Sequence, residues 1–324
     1  MFLRYINYIK LSAALIVSFF LLFLVSFGLI DSSPDFSDYH YFYSFKVEHF
    51  PFLKQRFEPF YYFGVYVSTE ILQLSFYFFV FICTLFSLSM KVGLAYKIDN
   101  RKVFEFVFLY SCLSLIIFEV VGLRVSIAIA FLGYSIYCYA RGNKRCFYFL
   151  MCISILFHYS MILCAILSLL LRYRDKVTAK HLFLILLFSF VSSSLVVKLL
   201  EAVNIHPLLN LYLKDSKNAP SLLSVYNLLI LLVFTLGAFS YNAMSSIGKT
   251  FFFVSFGIFS VSISFYFAPV IYFRYIDVAL YLMTYAIIST AAKNIVQIIF
   301  ITFFFMFAVY KVMSILFFSP ILNI

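Results

Sequence analysis

The twenty residues from Leu11 to Ile30, LSAALIVSFFLLFLVSFGLI, carry no charge. A helix of about that length crosses the roughly 30 Å hydrocarbon layer of a bilayer. Runs of this kind recur along the whole chain, and most charges fall in the short stretches between them. With 65% hydrophobic residues, 11% charged residues and a mean hydropathy of +1.05, no water-soluble fold hides this much apolar surface. The solvent for the chain is therefore lipid. No succession of alternating ten-residue segments reads as an outer-membrane barrel. The expected fold is all-α, a polytopic transmembrane helical bundle that forms one integral membrane domain over residues 1–324.

Spans are expected at 11–30, 71–90, 103–121, 124–140, 181–200, 222–241, 250–273, 275–292 and 294–318, about nine crossings in all. Residues 60–70, interrupted at Glu70, are expected to lie along the interface before the second span. The length of the first span and the lack of a small-residue cleavage motif favour a retained anchor over a signal peptide. Arg4 and Lys10 precede that span, so the N-terminus is expected in the cytoplasm. Outer loops then fall at about 31–58 and 201–221. Lys91, Lys97, Arg101 and Lys102 are assigned to a cytoplasmic loop, and Arg274 with Asp277 to an outer turn between the last spans but one.

Residues 147–171 pose a topological problem. Arg141, Lys144 and Arg145 precede them, while Arg172, Arg174, Lys176 and Lys180 follow. One full crossing would place a basic cluster outside, against the positive-inside rule. A break at His158-Tyr159-Ser160 predicts a re-entrant helix pair instead, with both clusters inside and a polar tip at depth.

The net charge of +11 would point to nucleic acid in a soluble protein. Here the basic residues sit in loops where they set orientation, so no nucleic-acid partner is expected. The six cysteines form no CxxC pair and no His stands at ligand spacing, so neither a disulfide framework nor a metal site is indicated. With 46 Phe, 26 Tyr and no Trp, tyrosine must supply the aromatic belt at the interfaces. There is no Walker motif and no dinucleotide fingerprint, so no cofactor is expected and energy has to arrive with the substrate.

On this topology Asp38, Glu58, Arg124, His158 and Arg274 reach the outer side from distant parts of the chain. Each has a plainer reading: Asp38 and Glu58 as solvated loop charges, Arg124 and Arg274 as snorkelling residues, His158 as a structural polar group. Taken together they suit an anion. A guanidinium binds phosphate in a bidentate fashion and stays charged at biological pH, while His158 or an outer carboxylate is able to take a proton from a hydroxyl. Glu119, inside an expected span, is expected to pair with an Arg rather than act alone.

Four stretches carry a family resemblance: Asp38-Tyr39 with Phe42 and Tyr43; Glu58-Pro59-Phe60-Tyr61-Tyr62; LRVSIAIAFLGYSIY beginning beside Arg124, with LFHYSMIL around His158 after a basic loop; and Phe273-Arg274-Tyr275. In these the chain resembles the O-antigen polymerases of the Wzy/EpsG type, bacterial inner-membrane enzymes that extend surface polysaccharide. The resemblance implies an undecaprenyl-diphosphate-linked oligosaccharide as substrate, handled on the outer face of the membrane, and a chain-length regulator as a partner. It further implies catalytic roles for Arg124, His158 and Arg274, and substrate-binding roles for Asp38, Tyr39, Glu58 and Tyr61. A lipid-linked oligosaccharide flippase, an O-antigen ligase or an acyltransferase would share the need for cationic residues at a glycolipid.

Overall fold

The computed structural model describes residues 2–33, 35–44, 58–203 and 224–318. Among these residues every regular element is helical and no strand is present. Contacts divide the chain into two compact units, Met1–Ala165 with Val312–Ile324, and Ile166–Lys311.

In the first unit, α1 (Phe2–Leu24) runs into a π-helical stretch, Val25–Leu29. A short helix, α2 (Phe36–Ser44), follows inside the expected outer loop. Residues 45–57 lie outside the described part. Then come α3 (Pro59–Tyr66), with Pro59 at a position where its missing N–H costs nothing, and α4 (Phe76–Ile98). Ser75 caps α4 by accepting from the Phe78 amide at 3.4 Å. Helix α5 (Val103–Leu113) gives way at Ser114 to a π-helical stretch, Ile116–Val121. Gly122 turns the chain into α6 (Leu123–Ala140), and α7 (Lys144–Phe157) returns along it.

The α6–α7 hairpin has a pinned register. Ser154 Oγ donates to the Ala128 carbonyl at 2.7 Å, and Ser135 Oγ donates to the Phe147 carbonyl at 2.8 Å. Extending the same antiparallel register sets His158 opposite Arg124, at the end of the hairpin remote from Arg141, Lys144 and Arg145. His158 itself is extended rather than helical (φ −159°, ψ 113°), and α8 (Met161–Leu169) starts after the Tyr159-Ser160 turn. The break expected at His158-Tyr159-Ser160 is thus present.

The second unit contains α9 (Ala179–Val203), α10 (Val225–Ser240), α11 (Ser246–Ser264), α12 (Pro269–Ile288) and most of α13 (Ile295–Met313). Helices α11 and α12 form its packed hairpin, with Ser255 Oγ donating to the Ala279 carbonyl at 2.6 Å. A Cβ added at Gly237 would run into the Phe252 ring, so close helix contact requires glycine there. The expected loop at 201–221 lies outside the described residues from 204 onward.

Seven helices among the described residues are long and apolar enough to cross a membrane: Ser12–Leu29, Phe76–Ile98, Leu123–Ala140, Val225–Ala243, Ser246–Ser264, Pro269–Ile288 and Ile295–Phe317. The expected count was about nine. The difference lies in 103–121, which is broken at Ser114, and in 181–200, which falls within the 25-residue α9 but is counted only over the apolar stretch Ala179–Ser193. Many of the largest outward-facing side chains are apolar, Ile16 and Phe188 among them, as lipid contact demands.

Three charged residues, Lys91, Arg274 and Asp277, sit elsewhere than the sequence reading placed them. Lys91 is not in a loop: α4 continues to Ile98, and Lys91 is wholly buried within it. Arg274 and Asp277 are not in a turn, because the turn falls at 265–268 and Pro269 opens α12. Asp277 is buried and accepts from Lys311 Nζ at 2.6 Å. In both cases a charge that hydropathy reads as a span end is held inside by an opposite charge from another helix.

Candidate functional site

Helix α2 lays Tyr39, Phe42 and Tyr43 on an aromatic core shared with Tyr61 of α3, Phe76, Phe79 and Val80 of α4, and Leu123 at the start of α6. The Tyr43 and Phe79 rings lie 5.1 Å apart, and Tyr43 Oη donates to the Leu74 carbonyl at 2.9 Å. Burial raises the Tyr43 phenol to about 12, so it remains a neutral donor. This packing holds α2 and α3 against the N-terminal ends of α4 and α6. It thereby brings residue 58 to residue 124.

Glu58 is the N-cap residue of α3, yet its side chain makes no capping bond. It turns toward the α6–α7 hairpin and bridges two residues. Arg124 Nη1 donates to Oε2 at 2.8 Å, and Nδ1 of His158 lies 2.7 Å from Oε1. Glu58 and His158 are only 5% and 9% exposed, whereas the Arg124 side chain retains 24%. Burial alone would raise the Glu58 carboxyl, but the His158 hydrogen bond and the charges of Arg124 and His158 outweigh it and hold it at about 2. Glu58 is therefore ionised. A carboxylate only accepts, so Nδ1 carries the hydrogen, and Nε2 is the ring nitrogen that exchanges the other proton.

The aromatic residues complete a cradle for the guanidinium. Its carbon lies 5.8 Å from the Tyr39 ring centroid and 5.7 Å from that of Tyr61, within the range of cation–π attraction. Tyr39 and Tyr61, expected to hold sugars, are 6% and 4% exposed and pack beneath Arg124. Burial drives the Tyr61 phenol well above its ordinary value, which keeps a neutral ring beside the ion pair. Asp38, one residue from Tyr39, lies on the exposed side of α2. Arg274, on the second turn of α12 in the other unit, is exposed there.

The structure thus joins Glu58, Arg124, His158, Tyr39 and Tyr61. Sequence spacing did not reveal that Glu58 pairs with Arg124, or that the two tyrosines serve the cation. The Lys91–Glu119 pair was also missed; the signal for it was two opposite charges within lipid-length apolar runs. Among the described residues no cluster of three or more His, Cys, Asp or Glu side chains forms a metal site.

A carboxylate that orients a histidine through Nδ1, beside a half-open arginine, is an arrangement whose chemistry suits accepting a proton and pairing with an anion. Residues 12–322 match the model of one protein family, described as the EpsG family. No curated protein and no solved structure matches the chain.

Proposed function

The chain belongs to the EpsG family, a family of Wzy-type polysaccharide polymerases, and from that premise we propose that it joins lipid-diphosphate-linked oligosaccharide units into surface polysaccharide. The single observation that carries this reading is the Arg124–Glu58–His158 arrangement, with contacts of 2.8 and 2.7 Å. It sits at the end of the α6–α7 hairpin opposite the basic turn of Arg141, Lys144 and Arg145.

That separation supports an outward-facing site. Positive-inside reasoning assigns the basic turn to the cytoplasm. The 18 residues of α6 extend about 27 Å, enough to carry Arg124 to the far interface. The hairpin register then lifts His158 to the same level. The break before α8 serves as the tip of a helix pair that returns toward the cytoplasmic side, which keeps Arg172, Arg174, Lys176 and Lys180 inside.

In the reaction, Nε2 of His158 takes the proton of an acceptor sugar hydroxyl, and that oxygen attacks the anomeric carbon of the donor sugar. The bond from this carbon to the diphosphate oxygen breaks, and the lipid diphosphate leaves as an anion. Arg124 stabilises the developing charge, and the family resemblance gives Arg274, in the other unit, a cationic role of its own. Glu58 holds the imidazole in the required tautomer and steadies the imidazolium that forms. Its low pKa removes Glu58 itself from the role of base. Tyr39 and Tyr61 hold the guanidinium in place, and Asp38, exposed on α2, contributes to binding sugar hydroxyls.

The test is the polysaccharide ladder on a gel from a strain lacking the gene. Deletion is expected to leave acceptor bearing one repeat unit, and wild type to restore the ladder. Arg124→Ala and His158→Ala, at wild-type membrane levels, should each cost at least about 100-fold in polymer, the scale seen when a charge-stabilising donor or a proton acceptor is lost. Full-length polymer from both variants would refute the assignment of the site. Complete loss of the repeat unit on deletion would favour export or ligation instead.

A further inference from the structure

A second polar cluster lies inside the first unit, wholly buried among apolar helices. Lys91 of α4 donates to Glu119 Oε1 at 2.6 Å, to Tyr110 Oη at 2.8 Å and to Ser126 Oγ at 2.6 Å. Tyr110 Oη and Ser87 Oγ also donate to that Glu119 oxygen, at 2.7 and 3.3 Å. Ser87 and Ser126 hydroxyls are 2.7 Å apart. Lys91, Glu119, Ser87 and Ser126 are all 0% exposed. Stability alone is a poor reason for such a group, because a buried ion pair is often matched or bettered by apolar side chains of similar volume.

What the cluster grips is informative. Glu119 belongs to the π-helical stretch Ile116–Val121 before Gly122, and Ser126 to the first turn of α6 after it. One ammonium from α4 therefore holds both arms of the Gly122 elbow. Arg124 leaves the chain between those two contacts. Helix α6 has no side-chain N-cap, and the preceding turn is π-helical, a wide turn that recurs at functional sites. A Cβ at Gly122 would stand 3.1 Å from the Ile117 carbonyl oxygen, so the two arms already approach closely. Glu58, by contrast, is delivered by α3. The 2.8 Å contact between Arg124 and Glu58 survives only if the elbow is held still relative to α3 and α4.

We propose that Lys91 is a positioning residue, a clamp on the Gly122 elbow that aims Arg124 at Glu58 and at the substrate anion. Its kinetic consequence rests on the polymerase reading; its structural consequence does not. The variant to make is Lys91→Met with Glu119→Gln, which removes both charges and leaves no uncompensated ion in the bundle.

Two measurements decide the matter. The first is the thermal midpoint of purified protein in detergent, taken as a cycle with Arg124→Ala. With the clamp intact, Arg124→Ala breaks the pair with Glu58 and lowers the midpoint by several degrees. In the Lys91→Met/Glu119→Gln background the pair is already loosened, so the same substitution has little further effect. Equal drops in the two backgrounds would overturn the clamp. The second is polymer synthesis from lipid-linked repeat units in vesicles. The double variant should lose about 100-fold in kcat, the scale of a misplacement of roughly 1 Å, with a smaller change in KM and a folded protein. Wild-type kcat in the double variant would also overturn the proposal. Should that variant fail to reach the membrane, Ser126→Ala, which releases only the α6 arm, enters the same thermal cycle with the same two outcomes. A wild-type protein that makes no polymer would dispose of the polymerase reading and leave the thermal cycle to judge the clamp by itself.

Discussion

Glu58 is the residue on which the site turns, because one carboxylate answers both a cation and an imidazole. Its folded-state pKa of about 2 lies below its ordinary value of 4.5, so its interactions stabilise the fold fully above about pH 4.5 and are lost as pH falls toward 2. The shift corresponds to at most about 3 kcal/mol. The thermal midpoint of wild type should therefore fall between about pH 4.5 and 2 more steeply than that of Glu58→Gln; parallel curves would show that Glu58 is not held as an ion. Arg124 and His158 were legible in the sequence as polar groups beside apolar runs, and Glu58 as a carboxylate of the outer loop within a family motif. Their pairing was not, since 66 and 34 residues of chain separate them and only packing closes the distance. The same holds for Lys91, which looked like a loop lysine because hydropathy is a local average and does not register the distant Glu119 that pairs with it.

Among the elements, the α6–α7 hairpin converts a turn in the sequence into a defined meeting of side chains. Ser154 and Ser135 fix its register through carbonyls of the opposite helix, and that register sets His158 against Arg124. One residue inserted within α7 after Met151 would rotate everything beyond it by about 100° and advance it about 1.5 Å, carrying His158 away from Glu58. That variant should lose the polysaccharide ladder while remaining in the membrane, whereas one residue inserted after Gly142, in the exposed turn, should keep it. A ladder from the helix insertion would mean that the register does not matter to the site. The hairpin was legible as two apolar runs around a basic turn, and the break at His158 as a polar interruption. The early end of α11 was also available, in Pro269, a residue that opens helices more readily than it continues them.

At the scale of the whole molecule, the charges assign an orientation that chemical labelling can check. In a background with the native cysteines replaced, Tyr159→Cys, beside His158 and 55% exposed, should react with an impermeant maleimide added outside intact cells. Arg145→Cys should react only after the membrane is opened; the reverse pattern would turn the site inward and exclude an outer-face reaction. Among the described residues each unit also buries a lysine–carboxylate pair at 2.6 Å, close in sequence to a candidate arginine: Lys91–Glu119 near Arg124, and Lys311–Asp277 near Arg274. The sequence by itself determined the solvent, the helical class, most of the spans and the family, because hydropathy over about 20 residues and four spaced motifs are local properties of the chain. Only the tertiary structure decided which charges are interior and which side chains meet. A buried charge is tolerable or ruinous according to its partner, and the partners here come from different helices.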